Sequence, residues 1–387
     1  MNAVVLLGTR PEVIKLAPLI RALRLDARCS LHVVSTGQHR EMLDGVIEDL
    51  DVVCDEDLGL MRRGQSLSSL TAALLTGVSE VLTRRRPDVV FVQGDTATAF
   101  AGALACFYAR VPLAHVEAGL RSGDENDPFP EEMNRRLVSS LATWHFAPTQ
   151  GSAHNLRREG IDPARIEVTG NTVVDNLEWI LERGRGRSAF TGDAHKVLVT
   201  LHRRENQGAR MREIAAALRT LGARGDLEIV LPMHLSPSVR EVLGPELMGQ
   251  QGIRLVEPLN YVDFIATLRD AKVVLTDSGG VQEEAPSLGT PVLLLRETTE
   301  RPEGISACTA LRVGTARGDI VRECERLLGE SSWFDQSSGG ANPFGDGRAT
   351  ERILNRLRRD LSRSESPTGE LDAHAAVANS PMVPSDI

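Results

Sequence analysis

Short apolar runs alternate with longer segments of helical spacing along most of the chain. The runs have the length and composition of buried strands, and the pattern restarts after Asn171. Strands that alternate with helices in two such rounds predict two doubly wound α/β domains that face each other across a cleft. The predicted strands are residues 3–7, 31–35, 89–93, 112–116, 145–148, 166–169, 197–200, 228–232, 254–256, 273–276 and 291–295.

The same pattern predicts the domain boundaries. Residues 1–169 form an N-terminal α/β domain and residues 170–347 a C-terminal one. Residues 348–361 have the spacing of a final amphipathic helix. Residues 362–387 are rich in Ser, Pro and Ala without periodicity, so we predict a disordered tail.

The composition is that of an average soluble globular protein, with 41% hydrophobic and 25% charged residues among 387. The net charge of -9 disfavours nucleic acid or an anionic membrane as a partner. No run reaches the length of about 18 apolar residues that a membrane span needs, and the N-terminus lacks the pattern of a signal peptide. The five cysteines contain no C-x-x-C pair. We therefore expect reduced thiols, no metal site and a cytoplasmic location.

The most informative segment is TDSGGVQEEAPSLG, at residues 276–289. It follows an apolar strand and passes through Gly279 and Gly280 into a helix. A strand, a glycine turn and a helix start leave backbone N–H groups that can bind a phosphate. Glu283 and Glu284 come a turn later, where a carboxylate can accept hydrogen bonds from ribose hydroxyls. The segment indicates a nucleotide site, although it lacks the G-x-G-x-x-G spacing of dinucleotide folds.

A basic segment, GTRPEVIK, follows the first predicted strand. Arg10 and Lys15 flank a predicted helix start, where they can bind an anion. The alternative is an ordinary helix start with two solvated basic side chains. Among the 44 Lys and Arg residues only Lys15, Lys196 and Lys272 are lysines, and this scarcity favours a function for Lys15.

Three carboxylates occupy comparable places in the predicted N-terminal domain. Asp95 and Glu117 end two strands, and Glu131 follows Pro130 at a helix start. A single acid at such a place is usually a helix cap, and Glu131 also complements a helix dipole. Three acids that converge on one cleft raise one another's pKa and can form an acid/base group.

The predicted C-terminal domain adds basic groups after its strands. His202 precedes Arg203 and can contact a diphosphate, whereas a lone histidine is more often structural. His234 can bind a ligand or hold its own loop. The D-x-D triplet at residues 55–57 matches the pattern of metal-dependent glycosyltransferases, but it lies in a charged loop, and we predict a solvated turn.

Ten segments in consistent order, from about residue 8 to residue 347, resemble the non-hydrolysing UDP-N-acetylglucosamine 2-epimerase family. They are GTRPEVIKLAPL, TGQHREML, QGDTATAF, HVEAGLRS, PFPEEMNR, VTGNTVVD, HRREN, TDSGGVQEEAPSLGTPV, RETTERPE and NPFGDG. The resemblance implies a glycosyltransferase-B type fold whose last helix crosses back to the first domain. It also implies a homodimeric isomerase without a cofactor, which interconverts UDP-N-acetylglucosamine and UDP-N-acetylmannosamine for the synthesis of cell-surface polysaccharides.

The resemblance further implies a role for each matching residue. The catalytic group would be Asp95, Glu117, Glu131 and His202. The UDP-sugar would be bound by Arg10, Lys15, Arg135, Leu259, Phe264, Ser278, Gly279, Gly280, Glu284 and Arg301. Some family members bind a second UDP-sugar as an activator, which here would contact Gln38, His39 and His234. Gly64 stands where such members can carry an arginine, so this regulation is left open.

The implied mechanism agrees with the residues. The C2 hydrogen of the sugar is not acidic, so inversion requires either oxidation by a nicotinamide cofactor or loss of UDP from C1. No dinucleotide fingerprint follows a strand, which leaves elimination to a 2-acetamidoglucal and re-addition of UDP. A hydrolysing epimerase, a glycosyltransferase of the same fold and a protein that only binds remain as alternatives. Leu201 and Cys308 depart from the family pattern.

Overall fold

The computed structural model describes residues 1–37, 40–62, 64–329 and 342–364, and its strands form two sheets in which every strand pair is parallel. The first sheet consists of β1 (Asn2–Leu7), β2 (Ser30–Ser35), β3 (Glu56–Asp57), β4 (Val89–Gln93), β5 (Leu113–Val116), β6 (Trp144–Ala147) and β7 (Ile166–Val168). Their order across the sheet is β3-β2-β1-β4-β5-β6-β7.

The second sheet repeats this arrangement. It consists of β8 (His195–Thr200), β9 (Leu227–Pro232), β10 (Ile253–Val256), β11 (Val273–Thr276), β12 (Val292–Leu294) and β13 (Ala310–Arg312). Their order is β10-β9-β8-β11-β12-β13. In each sheet the strand order reverses beside the first strand, between β1 and β4 and between β8 and β11. Ligands of open α/β sheets bind at the carboxyl ends of the strands near this reversal.

Helices connect the strands, which confirms the predicted α/β class. In the first part of the chain they are α1 (Arg10–Leu25), α2 (Arg40–Asp49), α3 (Leu67–Arg85), α4 (Ala97–Ala109), α5 (Glu131–Leu141), α6 (Gln150–Arg158) and α7 (Thr172–Glu182). In the second part they are α8 (Ala209–Gly222), α9 (Pro237–Leu247), α10 (Tyr261–Asp270), α11 (Gly279–Glu284), α12 (Pro302–Ser306), α13 (Arg317–Gly329) and α14 (Ala349–Ser364). None of these helices is long and apolar enough to cross a membrane.

The last helix packs against the first sheet's side of the molecule. Ile353, Leu354 and Leu357 of α14 belong to the same hydrophobic core as residues of α1 and α7. The helix continues to Ser364, so the predicted start of the disordered tail at residue 362 is three residues too early. The rest of that tail, residues 365–387, lies outside the described residues. The division into domains at residue 169 stays a prediction.

The D-x-D triplet is not the solvated turn that we predicted. Glu56 and Asp57 form the short edge strand β3, which pairs with β2. The Asp55 carboxylate accepts a hydrogen bond from the Val33 N–H at 2.7 Å and pairs with Arg24. A two-residue edge strand carries no periodic pattern, which is why the sequence did not reveal it.

We call the first sheet with α1–α7 and the second sheet with α8–α13 the two halves of the molecule. Two carboxylates join these halves at helix starts. The Tyr261 N–H, at the start of α10, donates to Oδ2 of Asp49 from α2 at 3.0 Å. The Thr149 hydroxyl, at the N-cap of α6, donates to Oε1 of Glu303 from α12 at 2.5 Å. An acidic group at a helix N-terminus is favoured by the helix dipole. Each half of the molecule therefore supplies a carboxylate to a helix start of the other half.

Candidate functional site

The end of β5 places Glu117 in an unusual backbone conformation. Its φ angle is +64°, in the left-handed region that few non-glycine residues adopt. The residue follows the last residue of β5, so the left-handed conformation lies where the strand ends. Residues in such conformations cost about 1–3 kcal/mol each and cluster at functional sites.

Glu117 belongs to a buried ion-pair network that connects the two halves. Its Oε2 accepts hydrogen bonds from the Lys15 ammonium, which it contacts, and from Nδ2 of Asn171 at 3.0 Å. The Lys15 ammonium also lies 2.9 Å from Oε2 of Glu283 on α11. Nε of Arg301 donates to the other oxygen of Glu283 at 2.5 Å. All four charged side chains are at most 8% exposed, so each charge depends on its partners.

The two carboxylates of this network have different proton affinities. Burial raises the pKa of Glu117, Glu283 raises it further, and Lys15 and Arg301 oppose both. Burial also acts to raise the pKa of Glu283, but Arg301 and Lys15 outweigh it and hold that pKa below its usual value. The network therefore favours a charged Glu283 and a Glu117 that can exchange a proton nearer neutral pH.

Asp95 lies two residues after the end of β4, where Arg135 of α5 contacts its Oδ2. The Arg135 side chain is 6% exposed, and its Nη1 also lies 3.3 Å from Oε2 of Glu132. Within the described part of the chain, Nε and Nη1 of Arg135 lack a hydrogen-bond acceptor. Asn134 fixes the backbone here, since its Nδ2 donates to the Asp95 carbonyl at 2.9 Å. Asp95 and Arg135 thus form one pair that the sequence had assigned to separate roles.

Glu131 and Glu132 are neighbours with different surroundings. Glu132 is fully buried and accepts hydrogen bonds from the Ser122 N–H at 3.0 Å and from Arg136 at 3.2 Å. Glu131 is half-buried at the first position of α5, and no hydrogen bond or ion pair reaches its side chain from the residues that the structure describes. No contact between the described residues joins Glu131 to Asp95 or Glu117, so its place in the acid/base group stays a prediction.

The glycine turn of the second sheet contains two glycines with different constraints. A Cβ on Gly279 would lie 2.5 Å from Nη1 of Arg301, so the buried guanidinium requires a glycine there. A Cβ on Gly280 would meet only Oγ of Ser278, at 3.9 Å. The Ser278 side chain does not cap α11, which leaves the first N–H groups of this helix to other partners. Ser278 and Gly280 are both partly exposed.

Glu284 is buried one residue after Glu283 but has a neutral partner. The Tyr261 hydroxyl donates to its Oε1 at 2.9 Å. Burial raises the pKa of Glu284 to about 7, although the Tyr261 hydrogen bond opposes this shift. The other oxygen of the Glu284 carboxyl accepts no hydrogen bond from the described residues. The carboxyl can therefore accept a further hydrogen bond from a ligand.

His202 is positioned by the buried Asp277, which follows β11. The Asp277 carboxylate accepts hydrogen bonds from the backbone N–H groups of His202 and Arg203, each at 3.0 Å, and from Nδ2 of Asn206 at 3.0 Å. Burial lowers the pKa of His202, and Asp277 opposes this effect. The His234 ring lies 5.8 Å from the His202 ring, measured between centroids, and its Nδ1 accepts from the Ser236 N–H at 3.1 Å. His234 is exposed and close to His202.

The remaining predicted residues lie at the edges of this site. Arg10 is half-buried at the first position of α1, and its guanidinium makes no ion pair with any described residue. Leu259 is half-buried just before α10. Phe264 of α10 packs against the hydrophobic cores of both sheets. Gln38 and His39 lie outside the described residues.

The sequence did not identify three residues that position the site, Asn171, Asp277 and Tyr261, nor Glu303, which joins α12 to the start of α6. Asn171 and Asp277 lie inside the matching segments VTGNTVVD and TDSGGVQEEAPSLGTPV, so their segments were recognised but their contacts were not. Tyr261 and Glu303 make contacts across the two halves, which strand and helix patterns do not predict. Among the described side chains, no three His, Cys, Asp or Glu residues form a cluster that could hold a metal ion.

Comparison with known proteins gives consistent results. The family model described as UDP-N-acetylglucosamine 2-epimerase matches residues 21–358. The UDP-N-acetylglucosamine 2-epimerase of Escherichia coli K12 is 45% identical over 372 residues, which cover 93% of this chain and 99% of that protein. A crystal structure of the UDP-GlcNAc 2-epimerase from Neisseria meningitidis bound to UDP-GlcNAc has a TM-score of 0.88 and 40% identity, and the match covers 93% of this chain and 100% of that one. A structure of Staphylococcus aureus MnaA with UDP has a TM-score of 0.85 and 43% identity, and covers 93% and 97% of the two chains.

Proposed function

The chain belongs to the UDP-N-acetylglucosamine 2-epimerase family, and we propose that it catalyses the reversible epimerisation at C2 of UDP-N-acetylglucosamine to UDP-N-acetylmannosamine. One observation carries this proposal. The buried contact of Glu117 with Lys15, and of Lys15 with Glu283, joins a carboxylate at a strand end of the first sheet to the helix that begins at the glycine turn of the second. This connection supports a single site that combines an acid/base group with a phosphate-binding turn.

The proposed reaction is an elimination followed by an addition. A carboxylate removes the C2 proton while the bond between C1 and the UDP oxygen breaks, which gives 2-acetamidoglucal and enzyme-bound UDP. A proton then adds to the opposite face of C2, and the UDP oxygen bonds to C1 again. The two steps need a proton acceptor on one face of the sugar and a proton donor on the other. This requirement explains why the site contains more than one carboxylate.

Glu117 suits proton exchange because only one of its oxygens is engaged. Lys15 and Asn171 both bind Oε2, and no described residue donates a hydrogen bond to Oε1. The raised pKa brings the group closer to the pH at which a general acid or base is most effective. We propose that Glu117 and Asp95 exchange protons with the sugar and that Glu131 completes the group.

The leaving UDP needs positive charge and N–H donors near its diphosphate. Arg10 and His202 suit this role, since Arg10 makes no ion pair with the described residues. The N–H groups at Gly279 and Gly280 supply further donors. Lys15 already pairs with two carboxylates, so we propose that it holds Glu117 rather than the diphosphate. The other proposed contacts are Ser278 with phosphate, Arg301 with the nucleotide or sugar, Arg135 with the sugar, Glu284 with the ribose, and Leu259 and Phe264 with uracil.

Incubation of the purified protein with UDP-N-acetylglucosamine in deuterated water tests the proposal. We expect NMR spectra to show UDP-N-acetylmannosamine together with deuterium at C2 of both UDP-sugars. Free N-acetylmannosamine and UDP would instead identify a hydrolysing epimerase. The absence of exchange at C2 would contradict both activities.

We also propose a homodimer. The side chains of Phe107 and Tyr108 on α4 and of Met133 and Leu137 on α5 are between 36% and 66% exposed, and α4 packs beside α5. Exposed apolar groups on neighbouring helices are typical of protein interfaces. Light scattering is expected to give twice the chain mass for the wild type and the single mass for Leu137→Arg. A wild-type mass equal to one chain would contradict the dimer.

A further inference from the structure

Glu283 is a buried carboxylate that the proposed reaction does not use. Its side chain is 1% exposed, and it lies one residue before Glu284, which we assign to the ribose. Its two oxygens have separate partners: Oε2 lies 2.9 Å from the Lys15 ammonium, and Oε1 accepts from Nε of Arg301 at 2.5 Å. Burying a carboxylate is costly unless it is paired, so a role for Glu283 must be sought in its two cations.

The Lys15 ammonium lies between two carboxylates from different sheets. Glu117 follows β5 of the first sheet, and Lys15 projects from α1 on the same side of the molecule. Glu283 comes from α11 of the second sheet. The ammonium therefore has one partner in each half, and its position relative to Glu117 depends on the presence of Glu283.

We propose that Glu283 is a positioning residue for Glu117, on which it acts through the ammonium of Lys15. This inference rests on the proposed function, in which Glu117 exchanges a proton with the sugar. Glu283 divides the positive charge of Lys15 between two carboxylates, so that Lys15 orients Oε2 of Glu117 without fully stabilising its charged form. The coupling requires the two sheets to be in their present arrangement, since Glu283 comes from the second sheet.

Three charged groups face Glu117, and their signs decide the expected effect. Lys15 faces it from α1, Glu283 from α11 and Arg301 from the residue before α12. Burial raises the pKa of Glu117, and the charge of Glu283 adds to this effect. If Glu283 becomes neutral, its charge no longer opposes Lys15 and Arg301, and the pKa of Glu117 falls although burial still raises it. A purely structural Glu283 would change stability and rate but would leave this pKa in place.

The test compares Glu283→Gln with Glu300→Gln. Glu300 is a matched control, because it is also buried and also accepts from Arg301, at 2.6 Å through Nη1, but contacts neither Lys15 nor Glu117. In the pH profile of kcat/KM for epimerisation, the limb that belongs to Glu117 is expected to move down by about one pH unit in Glu283→Gln. The same limb is expected to stay in place in Glu300→Gln. An unmoved limb in Glu283→Gln, or an equal shift in both variants, would overturn the proposal.

A titration that needs no turnover separates this inference from the proposed function. Protein labelled with 13C at the Glu carboxyls is titrated in the presence of UDP, and Glu117→Gln identifies the Glu117 resonance. We expect a lower midpoint in Glu283→Gln than in the wild type, and equal midpoints would overturn the proposal. If Glu283→Gln does not fold, Glu283→Asp replaces it, because its shorter carboxylate loses reach to Lys15 and the midpoint should again fall. A wild type without epimerase activity would refute the proposed function but would leave this result readable.

Discussion

The strand ends of the two sheets present different kinds of atoms to the proposed site. At the first sheet they are side-chain oxygens of Asp95 and Glu117, which buried cations hold in place. At the second sheet they are backbone N–H groups of the turn at Gly279 and Gly280 and the carboxyl of Glu284. Replacing a carboxylate of the first sheet by an amide removes the group that can exchange a proton and keeps the shape of the side chain. Adding a methyl group at the glycine turn changes the shape and keeps the backbone N–H groups. The two regions should therefore respond differently to substitution.

The largest effect is expected from neutralising a carboxylate of the first sheet. Glu117→Gln and Asp95→Asn should reduce deuterium exchange at C2 by about a thousandfold, because an amide cannot accept or donate the proton. UDP affinity, measured by calorimetry, should stay within about tenfold of the wild type. The variant Glu246→Gln is the control and should keep full exchange, since Glu246 pairs with Arg219 near the surface, away from the proposed site. A large loss of UDP affinity would assign the carboxylate to binding.

A smaller effect is expected from Glu284→Gln at the second sheet. The folded pKa of Glu284, about 7, lies above its ordinary value of 4.5. Its contribution to stability is therefore fully present below pH 4.5 and is lost as the pH rises through about 7. Gln stays neutral, so the variant should exceed the wild type in free energy of unfolding by about 3 kcal/mol at pH 8 and match it at pH 4. Urea denaturation at both values checks this, and a difference independent of pH would show that folding does not raise the pKa of Glu284.

The smallest effects are expected at the two glycines, and they should have opposite character. Gly279→Ala forces its Cβ against the Arg301 guanidinium and should cost about 1–3 kcal/mol of unfolding free energy. The added Cβ of Gly280→Ala would meet only Oγ of Ser278, at 3.9 Å, so this variant should fold as stably as the wild type, or more so. It should weaken UDP binding about tenfold if the diphosphate lies against this residue. Thermal denaturation and calorimetry on both variants provide the comparison, and equal stability losses would contradict it.

The sequence predicted what depends on local pattern. The two sheets and their alternating helices followed from the apolar runs, and the ten segments identified the family, which the comparisons confirm. The short strand β3 has no periodic pattern, and the prediction of a solvated turn there was wrong. The sequence suggested a diphosphate contact for Lys15, but its two carboxylate partners come from different sheets. Such pairing between remote segments depends on how the sheets approach each other, which no local pattern records.

The carboxylates of Asp49 and Glu303 impose a condition on how this chain can be recombined with its relatives. Asp49 accepts a hydrogen bond from the backbone N–H of Tyr261 at the start of α10, and Glu303 accepts one from the hydroxyl of Thr149, the N-cap residue of α6. A chimaera that takes one half from a relative must therefore keep a hydrogen-bond acceptor at position 49 for the start of α10. It must also keep an acceptor at position 303 for the hydroxyl at position 149. Residues 49 and 261, and residues 149 and 303, should therefore be exchanged together, although they lie 212 and 154 positions apart along the chain.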